Sequence, residues 1–333
     1  MTLADLAAFA MLGGLAVYTL TGGADFGGGL WDLLAFGRRA GAQRKLIEKA
    51  LSPIWEANHV WLVFVVVVLF TAFPLAYSAA GIALHIPLTA MLIGIVLRGS
   101  AFIFRQYGGG GAVARLRWGR VFAVASVLTP IFLGVTVGAV TSGEIRVSHG
   151  VPTTGYFAGW IGVFPLAAGL FTLALFGFLA AVYLCVEAGP SEPELQADFR
   201  RRALASGIAL APLAALTALT AGPGTRHFAE ALLGSSWTLP HQLATGITAL
   251  GALGALWLRR FRIARILAAA QVTLILVGWA LAQRPYLIAP DVTIENAAAP
   301  AVTLTLMLAI VGAGALFLIP SLYYLFRVFR KVA

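Results

Sequence analysis

The 333 residues are 60% hydrophobic and only 11% charged, where a soluble domain carries about 25% charge. That excludes a soluble globular domain and describes an all-α polytopic membrane protein. The formal charge of +10 does not point to nucleic acid, because the basic residues fall in short segments between apolar runs.

Taken in chain order, the apolar runs predict nine transmembrane helices, at about 5–35, 53–73, 77–98, 119–140, 158–185, 203–221, 241–258, 264–282 and 301–326. Each is long enough to cross ~30 Å of hydrocarbon at ~1.5 Å per residue. All 23 Lys and Arg residues except Arg146, Arg226 and Arg284 fall in alternate connections and at the C-terminus. The positive-inside rule then places the N-terminus outside and the C-terminus in the cytoplasm, a parity that nine spans satisfy. The first Lys or Arg is Arg38, so the opening run lacks the basic start of a signal peptide. The single cysteine, Cys185, excludes an internal disulfide and reads as small core packing.

The glycine-rich run Thr21–Gly29 reads as an interruption of the first span. Its small residues suit close helix–helix approach. Phosphate binding would need a preceding strand and a soluble helix start, and neither is present. Asp25 lies within this run, at a depth where an acid is functional by default and salt-bridge anchoring is the alternative.

The second span opens Ser52-Pro53, a capping residue followed by proline at the first helical position. Its first turns carry Trp55, Glu56, Asn58, His59 and Trp61. Trp55, Asn58 and His59 share one face, and Glu56 neighbours His59 at i, i+3. His59 suits a haem axial ligand, a proton relay or a hydrogen-bonded core histidine. Trp61 reads as interfacial or interhelical packing. The third span holds His85, more suited to a hydrogen bond with a neighbouring helix than to ligation. It closes on Arg98 and Arg105, seven apart on one face. Snorkelling explains both, and for Arg98 a buried anion, either an acid or a cofactor carboxylate, is the equal alternative. Gly108–Gly111 reads as a loop, residues 187–202 read as a polar loop, and the fourth to eighth spans hold no interior acid.

Together these residues resemble subunit II of the cytochrome bd-type quinol oxidases. The resemblance is carried by Gly23, Asp25, Gly27 and Gly29, then by Pro53, Trp55, Glu56, Asn58, Trp61 and Leu62. Phe73-Pro74 with Tyr77, Arg98-Gly99 through Phe102 to Arg105, and Pro285-Tyr286 with Thr293, Asn296 and Ala297 complete it. The run Trp55–Trp61 is similar to the cyanide-insensitive branch. Glu56 stands where many members have Asp, and Gly22 where some carry a second acid, which removes one carboxyl from any two-acid route in the first span.

The resemblance implies a single membrane domain over 1–333, built as two four-helix bundles (1–140 and 158–282) plus a ninth helix at 301–326. It implies a larger partner, subunit I, holding two b-type haems and one haem d or b. No cofactor is expected on this chain alone, except that the subunit can hold a structural quinone. The complex would oxidise quinol and reduce oxygen to water in the bacterial inner membrane, sometimes with a small single-span subunit. By depth, with Glu56 about one turn inside the cytoplasmic end of the second span, Asp25 deeper on the first and His59 one turn from Glu56, these three are the expected proton pathway. Arg98, Asn58, Trp55 and Trp61 serve the subunit interface or a cofactor carboxylate. Two rivals remain, a secondary transporter using Asp25 on a broken helix and a structural anchor without chemistry.

Overall fold

The computed structural model describes residues 1–51, 55–109 and 111–332. Ser52 and Pro53, and with them the expected helix start, lie outside the described residues, as does the side chain of Trp55. Among the described residues seven helices are long and apolar enough to span a membrane, and an eighth arises if one bent pair is counted as a single span.

The first helix, α1 (Leu3–Leu33), is continuous for 31 residues, which corrects the expected interruption at Thr21–Gly29. Its start is fixed by a capping box: Asp5 N–H donates to Thr2 Oγ1 (3.1 Å) and Thr2 N–H to Asp5 Oδ2 (2.9 Å). Glycine costs up to ~1 kcal/mol in a helix interior, and here close packing offsets that cost. A Cβ on Gly27 would strike the Phe176 carbonyl, and one on Gly29 would strike the Ser126 side chain. The glycines therefore set helix spacing rather than break the helix.

A short amphipathic helix, α2 (Ala40–Leu51), lies within the connection read as a basic loop and joins α3 (Trp55–Ala72) across a 56° bend. The expected third span, 77–98, divides into α4 (Pro74–Ala83) and α5 (His85–Tyr107). Pro74 starts α4, and Pro87 falls in the first turn of α5, where a missing N–H costs least. Then come α6 (Gly111–Thr141) and α7 (Val163–Ala188). The next helix, α8 (Pro193–Leu219), begins ten residues before the expected 203, so much of the stretch read as a polar loop is helical. Pro193 at its first position and Glu194 in its first turn supply that start. After α9 (Arg226–Gly234), α10 (Thr238–Trp257) covers the seventh predicted span. Thr238, His241 and Gln242 keep α10 too polar to stand as a span on composition. Finally α11 (Phe261–Gln283) and α12 (Ala301–Val332) match the eighth and ninth.

Packing centres on α1, which touches α3, α6 and α7, while α5 pairs with α6, α7 with α8 and α10 with α11. At the basic end, Arg39 donates to both oxygens of Asp198 on α8 (2.8 and 2.7 Å), Gln43 Nε2 donates to the same carboxylate (2.9 Å), and Arg202 Nη2 donates to Gln43 Oε1 (2.8 Å).

At the opposite end two small hairpins, β1 (Val147–Ser148) with β2 (Val151–Pro152) and β3 (Tyr286–Ile288) with β4 (Val292–Thr293), are joined through Asp291. That carboxylate accepts from Arg146 (2.8 and 3.0 Å) and from Val147 N–H (2.9 Å). The Arg146 hydrogen bonds hold Asp291 below the ordinary carboxylate range. A lowered folded pKa gives stability that is complete above the unfolded value of ~3.9 and is lost as pH falls through the folded one. Wild type and Asp291→Asn should therefore differ in melting temperature at neutral pH and converge below about pH 4. A gap that stays constant across that range would show that the charge is not what the loop uses.

Candidate functional site at the meeting of α1, α3, α5 and α6

Asp25 is 7% exposed and Arg98 is 2% exposed. Asn58 Nδ2 on α3 donates to Asp25 Oδ2 at 2.8 Å. The Arg98 guanidinium lies over two aromatic faces, 4.9 Å from the Phe26 centroid and 5.3 Å from that of Phe122, the arrangement of a desolvated cation–π contact. Asp25, Tyr18 and His59 all lie within the electrostatic reach of Arg98, although no ion pair within 4 Å joins Arg98 to Asp25 among the described residues. Arg98 Nε is buried with no hydrogen-bond partner among them. The His59 ring packs between Tyr18 (centroids 5.9 Å apart) and Phe26 (5.8 Å), and Phe26 stacks on Phe176 of α7 at 6.5 Å. Trp61 packs against this aromatic cluster and meets Phe64 edge-on at 6.2 Å.

Asp25, Asn58, His59 and Arg98, all singled out in the sequence, thus come together. Glu56 does not join them. It is exposed, at the head of an exposed apolar stripe of Val60, Val63, Val67 and Phe70 on α3. Among the described residues the carboxylate near Arg98 is Asp25. His85 is exposed, its Nδ1 2.9 Å from the Ile82 carbonyl of α4 and its ring edge-on to Tyr156, so hydrogen bonding to a neighbouring helix is what the structure gives it.

Sequence reading missed a second polar layer one register nearer the basic end. Asp32 is buried and pairs with Arg105 Nη1 at 3.1 Å. Arg105 Nη2 also reaches Glu48 at 3.7 Å, and Arg44 Nε lies 3.9 Å from Asp32. The signal was available in the spacing, since Asp25 to Asp32 on α1 repeats the seven-residue step from Arg98 to Arg105 on α5. Arg105 therefore pairs inside the protein instead of snorkelling.

The profile of the family described as cytochrome bd terminal oxidase subunit II matches residues 3–329. The chain belongs to that family. A Bacillus subtilis (strain 168) chain provisionally named cytochrome bd menaquinol oxidase subunit II is 24% identical over 95% of this chain and 92% of its own length. Cytochrome bd-I ubiquinol oxidase subunit 2 of Escherichia coli (strain K12) is 25% identical over 50% of this chain and 44% of its own. In three dimensions the fold is similar to a chain of the bd oxidase from Geobacillus thermodenitrificans, with a TM-score of 0.81 at 22% identity, covering 99% of both. Family membership makes the chain part of a quinol oxidase complex in a membrane, in association with a subunit I that carries the haems.

Proposed function

We propose that this subunit supplies protons to the oxygen-reducing haem of subunit I and holds the complex together, without itself performing redox chemistry. The observation that carries the reading is a buried carboxylate, Asp25, hydrogen-bonded to Asn58 with Arg98 and His59 beside it. An acid so placed in a membrane is expensive to keep. His59 follows Asn58, the hydrogen-bond partner of Asp25, on α3, and a carboxyl and an imidazole on facing helices can exchange a proton through bound water. Glu56 would enter the pathway from the exposed face of α3. We assign that face to contact with subunit I, because a carboxylate above an apolar stripe at membrane depth requires protein or water cover. The haems are assigned to subunit I. Two of this chain's histidines fit carbonyl contacts better than axial ligation: His85 Nδ1 meets the Ile82 carbonyl and His241 Nε2 the Leu274 carbonyl, both at 2.9 Å.

The orientation follows from the basic residues, with Asp32 and Arg105 at the cytoplasmic end and nine spans in all. A cytoplasmic reporter fused after Ala333 should be active and a periplasmic one silent; the reverse would overturn both orientation and count. The transporter reading loses its support because α1 is continuous.

The proton reading is tested by Asp25→Asn and Glu56→Gln in the assembled oxidase. Quinol-driven oxygen uptake should fall by about 100-fold or more for Asp25→Asn, on the scale of losing one proton-transfer group, with full haem content retained. Loss of haem and of subunit I would instead assign the residue to assembly. Unchanged turnover with unchanged assembly would remove Asp25 from any role.

A further inference from the structure

Asp25 and Arg98 form the inner of two matched tiers. Asp32 follows Asp25 by seven residues on α1, and Arg105 follows Arg98 by seven on α5, so each pair shares a helix face. The inner tier is sealed. The outer tier is graded, with side-chain exposures of 4% for Asp32, 10% for Arg105 and 32% for Glu48. Seven residues of helix separate the tiers by about 10 Å, a span of roughly four hydrogen-bonded steps of ~2.8 Å.

What lies between them is small and polar on one side. Gly29 presents no side chain, and the Ser126 side chain of α6 occupies the space beside it, while Gly28 faces the apolar Ile47 and Leu51. Ser126 Oγ is fully buried and donates to the Phe122 carbonyl at 2.7 Å, which leaves its lone pairs free to accept. The Phe122 ring is one of the two on which Arg98 rests. Each tier also holds one buried polar atom without a hydrogen-bond partner among the described residues, Asp32 Oδ1 in the outer and Arg98 Nε in the inner. Buried polar atoms of this kind are satisfied by ordered water.

Resting on the proton-supply reading of Asp25, we propose that Asp32, with Glu48 and Arg105, is the aqueous entry group of that route. A proton from bulk water binds the Glu48 or Asp32 carboxylate and passes by water past Ser126 and Gly29 to the Asp25 carboxylate. Asp32 returns to its ionised form, and oxygen reduction in subunit I consumes the proton. Arg105 is a positioning residue. It reaches both outer carboxylates, Asp32 at 3.1 Å and Glu48 at 3.7 Å.

The test uses the whole oxidase complex in detergent and follows haem content, steady-state oxygen uptake from pH 6 to 9, and dye-detected proton uptake in a single turnover with oxygen. Asp32→Asn should keep its haem and slow both uptakes several-fold, with the deficit growing towards alkaline pH, where bulk protons are scarce. Asp32→Glu should restore them. Wild-type uptake and pH profile in Asp32→Asn, alongside a slow Asp25→Asn, overturns the entry assignment and leaves the role of Asp25 standing. Wild-type behaviour in both variants overturns the two together. If Asp32→Asn loses haem, Glu48→Gln decides: the same alkaline deficit in proton uptake supports the entry, and a wild-type profile overturns it.

Discussion

Replacing Arg98 by leucine is expected to destabilise the subunit by about 3–5 kcal/mol, the cost of leaving a buried charge without its counter-charge. Leucine keeps apolar packing between Phe26 and Phe122, and Asp25 keeps its Asn58 hydrogen bond but loses the nearby positive charge. The second substitution in the same chain tells more than the first. Arg98→Leu with Asp25→Asn removes both charges, and a buried pair replaced as a unit is often close to neutral. The double variant should recover much of the thermal midpoint for retention of haem and subunit I, giving a coupling energy well above the ~0.5 kcal/mol expected of independent sites. Additive losses would show that Arg98 works through the aromatic faces and not through Asp25.

The second large effect is expected at Gly27. Here a Cβ would collide with the backbone of α7 at Phe176 and stand 2.7 Å from Ala180 Cβ. A backbone obstacle cannot rotate away, so α1 and α7 must separate. Gly27→Ala should cost about 1–3 kcal/mol by overpacking, and Gly27→Val more, seen as lower yield and a lower melting temperature of the complex. Gly13, on the same helix with nothing within 4 Å of its Cβ position, is the internal control. Gly13→Ala should be neutral or gain up to ~1 kcal/mol from helix propensity. Equal losses at both positions would mean that the glycines matter for helix flexibility and not for spacing.

The membrane character, and Asp25, Asn58, His59 and Arg98 as individual residues of interest, were legible in the sequence because polar groups inside apolar runs are few; that these four meet was not, because it depends on how α1, α3 and α5 pack. The glycine run misled because glycine is poor in an isolated helix. Its compensation lies on Phe176 and Ser126, more than 90 residues away. The start of α8 was hidden because arginines at 200–202 look like a loop, while Arg200 and Arg202 donate to carbonyls of Trp31, Leu34, Leu256 and Trp257. Glu56 was grouped with Asp25 on span ends alone; the turn of α3 that buries Asn58 leaves Glu56 on the exposed side. Asp32 was overlooked because it stands near the end of the apolar run, where an acid reads as solvated, and Arg105 and Glu48 show otherwise.

The clasp of Arg39 and Gln43 on Asp198 joins residues up to 159 positions apart, and this has a consequence for synthesis. At ~5–20 residues per second, α2 is complete roughly 8–30 s before its acidic partner leaves the ribosome. During that interval its arginine and glutamine are solvated by water at the membrane surface, so waiting carries little energetic penalty. Closure then comes late and marks the point at which the early helices are locked to α8. A chain halted before residue 198 should insert its first helices yet leave α2 open to protease at Arg38 and Arg39, and extension through α8 should close that site.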